Sequence, residues 1–480
     1  MNCTAPDVTK IVEIVMQQLA PMLQGTCSSS CACPGTAVCG DDGIFEELDD
    51  AIAAADAAYR QLNTVALREK AVAAVRAEAR ERARELAEQA VSETGMGRVE
   101  DKVRKKILQA ERTPGVEALQ PAAVSGDAGL ALTENAPWGV IASVIPCTNP
   151  AATVINNAIS MIAGGNAVIF APHPRSKQVS IHCIQLLNRA IYHATGIRNL
   201  LVALRKPSLE AAQRMFTHSG VSLLVVTGGE AVVETARKIA TMRIICAGAG
   251  NPPVLVDETA DIARAARSIY EGASFDNNII CADEKVIIVV DTVAEAFAAA
   301  VKELGAVYIS LEQADAVAKV VLKNYPGPHA SANPEWVGKD AAKIAAAAGI
   351  AVPESCRLLL VDVGRDCEHT FVRVEQMMPV LPVLRAATAE EGIDWAVRAE
   401  RGLKHTAGLH SRNIDVMDAM ARRINTSLFV KNGPHIAGLG AGGEGWTSMT
   451  ISTPTGEGVT NARSFVRLRR CVLAENFRIV

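Results

Sequence analysis

Three cysteines lie where a strand-like apolar run meets a loop, a position from which a thiol can reach a bound substrate. Cys147 in VIPCTNPAA and Cys246 in RIICAGAGNPP each leave a predicted strand, and Cys281 lies between the polar loop GASFDNN and the apolar run VIIVV. A nucleophilic cysteine needs partial exposure and nearby donors or positive charge, which stabilise the thiolate and the oxyanion that its attack produces. This context favours Cys281, and a buried structural role is the alternative for all three.

Two further features flank predicted helices. Asn149 precedes Pro150 at a first helical position, so an N-cap role that needs no chemistry fits it. The turn Thr227, Gly228 and Gly229 joins the apolar run LLVV to an amphipathic helix, where free N–H groups and the helix N-terminus favour a phosphate. An ordinary tight turn fits the same residues, and both interpretations stay open.

A second glycine motif matches the dinucleotide-binding pattern GxGxxG at Gly438, Gly440 and Gly443. It follows KNGPHIA and precedes EGWTSMTIS, so neither a predicted strand nor a predicted helix flanks it. We interpret it as a flexible loop.

Composition excludes several classes of protein. The chain has 480 residues, 49% of them hydrophobic, with a net charge of -4 and no long basic run, which is typical of a soluble multi-domain protein without a nucleic-acid partner. No apolar run approaches the roughly 18 residues that span a bilayer, so we expect no membrane association. The N-terminus lacks the features of a secretory signal, which predicts a cytoplasmic protein whose cysteines are thiols.

Strand-like and helix-like segments alternate through most of the chain. A helical region covers residues 45–112, with breaks at 63–64 and 95–97. Strands are predicted at 138–145, 167–170, 200–203 and 223–226, with helices between them, and a second α/β region runs from 253 to 433. This alternation predicts parallel sheets covered on both faces.

Both ends of the chain carry distinctive segments. Residues 8–19 have apolar side chains at steps of three and four, which predicts an amphipathic helix, and the Gly, Ser, Cys and Pro-rich stretch 25–43 predicts a flexible linker. The linker cysteines lack the paired spacing of a zinc site, so we expect solvated thiols and no metal; they are Cys27, Cys31, Cys33 and Cys39. The tail RSFVRLRRCVLAENFRIV alternates between apolar and polar residues, which predicts an exposed strand. Such a strand can pair with a second copy of the chain, so we expect a homo-oligomer.

Five collinear motifs together resemble the aldehyde dehydrogenase superfamily over residues 45–480: PCTNP, VTGGEAVV, GAGNPP, FDNNIICADEK and EQMMPVLPV. Within it the chain is most similar to the CoA-acylating aldehyde dehydrogenases of bacterial microcompartments, of the propionaldehyde and acetaldehyde types. The resemblance implies an α/β fold with a Rossmann-type NAD-binding domain at 44–252, a catalytic domain at 253–440 and a C-terminal segment at 441–480. A small oligomerisation element combines the strand in that segment with residues near 120–137, and an N-terminal targeting helix at 1–24 precedes the linker 25–43.

The resemblance also implies roles for individual residues. Cys281 matches the thiolate that attacks the aldehyde, and the Asn149 amide matches the side chain that stabilises the oxyanion. Thr227, Gly228 and Gly229 match the turn at the cofactor helix, and Glu375 matches the glutamate that binds the nicotinamide ribose.

Two departures from the hydrolytic members qualify this picture. The segment CAGAGNPP carries Cys246 and Ala247 where those members have the glutamate that activates water. Because a CoA thiol has less need of a general base, this loss favours acyl-CoA as product. Pro172 and His173 stand where those members contact the adenosine ribose, so they are predicted to bind the cofactor, and NAD is preferred over NADP on resemblance alone.

The resemblance thus implies oxidation of propionaldehyde or acetaldehyde with NAD and CoA inside a microcompartment, with the N-terminal helix bound to a shell protein. The alternatives are a hydrolytic aldehyde dehydrogenase that releases free acid and a catalytically idle microcompartment adaptor. The preferred aldehyde and the choice between dimer and tetramer are not determined. For His173 and His405, a surface or capping role is the favoured interpretation.

Overall fold

The computed structural model describes residues 41–475, and the predicted N-terminal helix and nearly all of the linker lie outside them. The core of this part of the chain contains two parallel sheets, one formed by strands within residues 44–247 and the other by strands within residues 253–431. Their strands are almost completely buried, which explains why they are continuous runs of Val, Ile, Leu and Ala rather than alternating sequences.

The first half of the described chain contains eight strands and eight helices of four residues or more. The strands are β1 (Ile44–Phe45), β2 (Ala122–Gly126), β3 (Gly129–Pro137), β4 (Val140–Ile145), β5 (Ala167–Pro172), β6 (Leu201–Leu204), β7 (Leu223–Thr227) and β8 (Arg243–Ala247). The helices are α1 (Leu48–Gln61), α2 (Val65–Glu81), α3 (Ala83–Thr94), α4 (Val99–Arg112), α5 (Pro150–Ala163), α6 (Lys177–Thr195), α7 (Leu209–Met215) and α8 (Glu230–Ile239).

The second half is built in the same way. Its strands are β9 (Pro253–Val256), β10 (Val286–Val290), β11 (Val307–Ile309), β12 (Leu322–Lys323), β13 (Ser331–Ala332), β14 (Leu359–Gly364), β15 (Val380–Ala386), β16 (Thr406–His410), β17 (Leu428–Lys431), β18 (Ile451–Ser452), β19 (Gly458–Val459) and β20 (Val466–Ala474). Its helices are α9 (Ile262–Ser274), α10 (Asp291–Glu303), α11 (Leu311–Val321), α12 (Ala341–Ala347), α13 (Thr370–Arg373), α14 (Ala389–Glu400) and α15 (Ile414–Ile424).

Strand order in the first sheet creates a crevice. The order is β1-β6-β5-β4-β7-β8, with every neighbouring pair parallel. The chain leaves β4 toward β5 and β6 on one side, then returns to place β7 and β8 on the other side. Loops that follow β4 and β7 therefore diverge, and such a switch point is where open parallel sheets bind ligands.

The second sheet has the order β11-β14-β15-β10-β9-β16-β17 and is also parallel throughout. A third, three-stranded sheet joins β2, β3 and β20 in antiparallel pairs, so the tail forms the predicted strand, but its partner here is β3 of the same chain. Its residues are largely exposed, including Leu468 at 75% and Val472 at 61%.

Most predicted elements are confirmed, with a few differences at their boundaries. The helical region contains the breaks predicted at 63–64 and 95–97 and a further one at Arg82, and it is preceded by β1, which the sequence pattern did not reveal. The motif at 438–443 begins inside the short 3-10 helix His435–Leu439 and continues into a loop, and it does not join a strand to an α-helix. None of the helices in residues 41–475 is both long enough and apolar enough to cross a membrane.

Candidate active site

A pocket of about 280 Å³ opens at the switch point of the first sheet. The loop after β4 contributes Cys147 and Asn149 to its lining, and the turn after β7 contributes Thr227, Gly228 and Gly229. Because both loops follow the carboxyl ends of neighbouring strands, the fold brings them together although they lie far apart in the sequence.

The second sheet completes the pocket from its amino-terminal edge. Cys281 lies in the loop before β10, and Glu375 lies in the loop before β15, and both line the same pocket. His173 lines it as well, so the structure brings together every predicted site residue except Pro172. Pro172 is the buried last residue of β5 and is not part of this lining.

Asn149 occupies the N-cap position of α5, but its side chain makes no capping hydrogen bond. Instead its Oδ1 accepts a hydrogen bond from the Lys105 ammonium. Its Nδ2 lies 3.4 Å from the Thr148 hydroxyl oxygen. The capping interpretation therefore fails for the side chain of Asn149, which is a residue of the pocket lining.

Cys281 is partly exposed, whereas Cys246 is buried in β8. Burial raises the pKa of the Cys281 thiol to about 12, helped by the negative charges of Glu375 and Asp283 and opposed by Lys285. Burial also raises the pKa of Cys246 to about 11, and this thiol has the structural role expected of an inert cysteine. Cys147 lines the same pocket as Cys281, so a position in the pocket lining does not by itself show which of the two thiols reacts.

Glu375 places a carboxylate in the pocket wall. Its Oε1 accepts a hydrogen bond from the Gly250 backbone N–H at 3.4 Å, and burial raises the pKa of this carboxyl. Among the described residues that line the pocket, Glu375 supplies the sole carboxylate. The neighbouring segment contributes Gly248 and Ala249, which carry no acid or base.

The turn before α8 leaves the N-terminus of this helix without a side-chain cap. Gly228 N donates to the Ala247 carbonyl oxygen at 3.2 Å, and Gly229 is the N-cap of α8 and has no side chain to satisfy the first N–H groups of that helix. A Cβ added at Gly229 meets nothing within 4 Å, and its φ of -66° suits any residue. The backbone therefore does not require glycine here, whereas a phosphate close to the helix N-terminus does.

The two histidines differ. His173 is half-buried, and its Nδ1 accepts a hydrogen bond from the Arg175 backbone N–H, which is the capping role expected for it. His405 is fully buried, so the surface interpretation is wrong for that residue. Burial lowers its pKa to about 4, its Nδ1 contacts the Thr406 hydroxyl at 2.8 Å, and its Nε2 has no partner.

His405 also lies close to the nucleophile's chain segment. A Cβ built on Gly250 would come within 2.9 Å of the His405 ring and 2.7 Å of the Cys281 carbonyl oxygen, so only glycine fits between them. The sequence offered no signal for this contact, because the two residues are brought together by packing and not by local pattern.

A second, larger cavity of about 590 Å³ adjoins the first, because Met449 lines both. Its wall is mostly apolar and includes Phe275, Ile280 and Leu439, with Lys105 also in the lining. Within residues 41–475, no cluster of His, Cys, Asp and Glu has a metal-binding arrangement.

Comparison with known proteins gives consistent results. A model of the aldehyde dehydrogenase family matches residues 41–318. An acetylating acetaldehyde dehydrogenase of Bilophila wadsworthia is 64% identical over 484 residues, which cover 100% of both chains.

Two solved structures have the same fold. A propionaldehyde dehydrogenase from the fucose utilisation microcompartment of Clostridium phytofermentans is 41% identical, with a TM-score of 0.88 and coverage of 91% of this chain and 100% of its own. A propionaldehyde dehydrogenase of Rhodopseudomonas palustris, solved with bound CoA and an acylated cysteine, is 42% identical, with a TM-score of 0.87 and coverage of 90% and 98%.

Proposed function

The chain belongs to the aldehyde dehydrogenase family, and we propose that it is a CoA-acylating member, which oxidises a short-chain aldehyde with NAD and CoA to the acyl-CoA and NADH. The observation that carries this proposal is the single pocket that Cys281, Asn149 and Glu375 line beside the turn at Gly228 and Gly229. The acetylating relative is 64% identical and the propionaldehyde enzymes 41–42%, which favours acetaldehyde as the preferred substrate.

In this proposal Cys281 is the nucleophile. The Cys281 thiol loses its proton to solvent, its sulfur attacks the aldehyde carbonyl carbon, and the oxygen that gains the electron pair is held by the Asn149 amide N–H and the Cys281 backbone N–H. A well-aimed donor of this kind contributes about 2.7–4 kcal/mol to the transition state. NAD, when bound, accepts the hydride from this adduct, which leaves an acyl group on Cys281, and CoA, when bound, supplies the thiol that removes it.

The residues present fit the cofactor. The N-terminus of α8, with Gly229 as its N-cap, is suited to a pyrophosphate, and the Glu375 carboxylate is suited to accept hydrogen bonds from ribose hydroxyls. Thr227 Oγ1 contacts the Thr450 hydroxyl at 3.0 Å, which fixes the turn against the C-terminal segment. His173 lines the same pocket and is proposed to contact the cofactor, and Pro172 shapes the wall behind it.

The pocket favours thiolysis over hydrolysis. Cys246 and Ala247, which stand where a water-activating glutamate would be expected, are both buried, and the next residues, Gly248 and Ala249, line the pocket without an acid or a base. With no carboxylate in this segment and Glu375 assigned to the cofactor ribose, water attacks slowly, whereas a thiol is a far better nucleophile near neutral pH. Acyl-CoA is therefore the expected product.

The test is NADH formation from acetaldehyde and from propionaldehyde, with and without CoA, and identification of the product by mass. We expect the acyl-CoA as product and NADH formation that depends on CoA. Free acid formed at a comparable rate without CoA would instead assign a hydrolytic aldehyde dehydrogenase. No NADH with either aldehyde would favour the idle adaptor.

We further infer that the two parallel sheets belong to domains with different functions. Residues 44–252 form an NAD-binding domain, 253–440 a catalytic domain and 441–480 a C-terminal segment. The exposed β20, together with the strands near 120–137, supports a role as the oligomerisation element of a homodimer or homotetramer.

The microcompartment lumen is the proposed location. One related structure comes from such a compartment, and residues 8–19 of this chain have the amphipathic spacing suited to docking on a shell protein. The linker 25–43 would tether that helix. Deletion of residues 1–24 is expected to leave activity nearly unchanged and to abolish co-purification with shells. A large loss of activity would assign these residues to the fold instead.

A further inference from the structure

Helix α4 buries an unusual set of charged side chains beside the pocket. Its inward face carries Asp101, Lys102, Lys105 and Lys106, all less than 9% exposed. Buried lysines are costly unless they are paired, so each needs a partner that accounts for it. For Lys105 the partners are the Asp276 carboxylate and Asn149 Oδ1, and the Lys105 and Asp276 side chains are 3% and 0% exposed.

The contact with Asn149 decides which end of the amide faces the reaction. A carboxamide has one accepting oxygen and one donating nitrogen, and the Lys105 ammonium occupies the oxygen. The nitrogen is thereby left as the donating end, and it lies 3.4 Å from the hydroxyl oxygen of Thr148, another residue of the pocket lining. A positive charge on the carbonyl oxygen also polarises the amide and strengthens its N–H groups as donors, in a site where water does not screen the charge.

Lys105 also connects Asn149 to the segment that carries Cys281. Asp276 lies in the turn Phe275–Asn278, shortly before the cysteine, and is itself fixed by the Arg98 backbone N–H at 2.7 Å and by the Lys102 ammonium at 3.1 Å. The two donors of the oxyanion hole follow β4 of one sheet and precede β10 of the other. Lys105 joins both sides through the Asn149 side chain, and Lys102 joins them through the Thr148 backbone carbonyl oxygen at 3.3 Å.

We propose that Lys105 is a positioning residue for the oxyanion hole, which orients and polarises the Asn149 amide and ties it to the Cys281 loop through Asp276. This proposal rests on the proposed function, because it presupposes that Asn149 stabilises the oxyanion. It assigns Lys105 no contact with the reacting atoms.

A double-mutant cycle tests this coupling, with wild type, Lys105→Met, Asn149→Ala and the double variant assayed for kcat/KM with acetaldehyde, NAD and CoA. We expect Lys105→Met to lower kcat/KM about tenfold or more, which is part of the 10²–10³-fold loss known for a missing donor. In the Asn149→Ala background, Lys105→Met should lower kcat/KM by no more than about twofold, because the amide is no longer there to be positioned.

Two controls separate positioning from other effects. Lys106→Met removes an equally buried lysine from the same helix, whose Nζ donates to the Lys102 carbonyl oxygen at 3.5 Å. If Lys105 acts through its specific contacts, the kcat/KM of Lys106→Met should stay within about threefold of the wild-type value. Alkylation of Cys281 by iodoacetamide requires the thiolate but no oxyanion hole, so Lys105→Met should leave its rate within about twofold. Should Lys105→Met fail to fold, Lys105→Gln takes its place in the cycle.

The outcomes are distinct. Equal losses from Lys105→Met in both backgrounds would assign a merely structural role and overturn the proposal, as would a large fall in the alkylation rate, which would place the effect on the thiol. If Asn149→Ala alone keeps full activity, the proposed role of Asn149 fails, and the positioning proposal fails with it.

Discussion

The surroundings of Cys281, the proposed nucleophile, raise the pKa of its thiol, so the thiol is protonated at neutral pH in the free protein. Burial is the largest cause of its raised pKa, and Glu375 and Asp283 add to it. A raised pKa means that the thiolate fraction is small at neutral pH and grows as the pH rises toward about 12.

The first prediction concerns the choice between the two pocket cysteines. Cys281→Ala is expected to reduce CoA-dependent NADH formation to background, because the covalent intermediate cannot form. Cys147→Ala, in the same pocket, should retain activity within about threefold, since it removes no reacting atom. Robust activity in Cys281→Ala would sink the assignment.

The second prediction concerns pH. The rate at which iodoacetamide modifies Cys281 in the free protein, followed by peptide mass spectrometry, should still be rising above pH 9. Glu375→Gln removes a negative charge that raises the thiol pKa, so it should increase the rate at pH 8 severalfold. A rate that levels off below pH 8 in the wild type would contradict the protonated state described above.

At the scale of elements, the turn after β7 and the start of α8 are the proposed site of the cofactor phosphates. Gly229 has ordinary extended backbone and open space around it. Gly196, at the C-terminus of α6, also has open space but a φ of +74°, which side chains adopt poorly. The backbone conformation thus explains glycine at position 196 but not at position 229, where the proposed cofactor phosphate supplies a reason.

The third prediction follows from this contrast. Gly229→Val should raise KM for NAD about tenfold or more, equivalent to about 1.4 kcal/mol of lost binding, with little change in Tm. Gly196→Ala should instead destabilise the fold by about 1–2 kcal/mol with KM for NAD unchanged. Calorimetry and steady-state kinetics measure both quantities. An unchanged KM in Gly229→Val would mean that the cofactor phosphates bind elsewhere.

At the scale of the whole molecule, the three-stranded sheet is the least buried part of the described chain. Leu468 and Val472 lie four residues apart on β20, on one face of that sheet, and both are exposed. Exposed apolar side chains on an edge strand favour pairing with a second copy.

The fourth prediction tests this surface. The double substitution Leu468→Asp and Val472→Asp should shift the protein from an oligomer to a smaller species in light scattering coupled to size exclusion. Circular dichroism should stay unchanged, because neither side chain belongs to a core. An identical mass for variant and wild type would exclude this face as the interface.

The sequence by itself determined the parallel α/β architecture, because apolar runs, helical periodicity and turn residues are local signals that tertiary packing reinforces here. Motifs whose order and separation resemble a family also predicted Cys281 as the nucleophile and Asn149 as the side chain that stabilises the oxyanion, and both residues line one pocket. The sequence pattern did not predict the strand β1 or the helix break at Arg82, because a two-residue strand and a break within a continuous helical run leave little trace in the local sequence.

Only the tertiary structure decided what surrounds those residues. The many charged residues of α4 are typical of a helix that faces solvent, yet its lysines are buried. Lys105 contacts Asn149, 44 positions away in the sequence, and Lys102 contacts Asp276, 174 positions away. His405 was expected at the surface and is fully buried. Burial and charge pairing depend on which segments the fold brings together, so they set pKa values and orient side chains in ways that no local pattern contains.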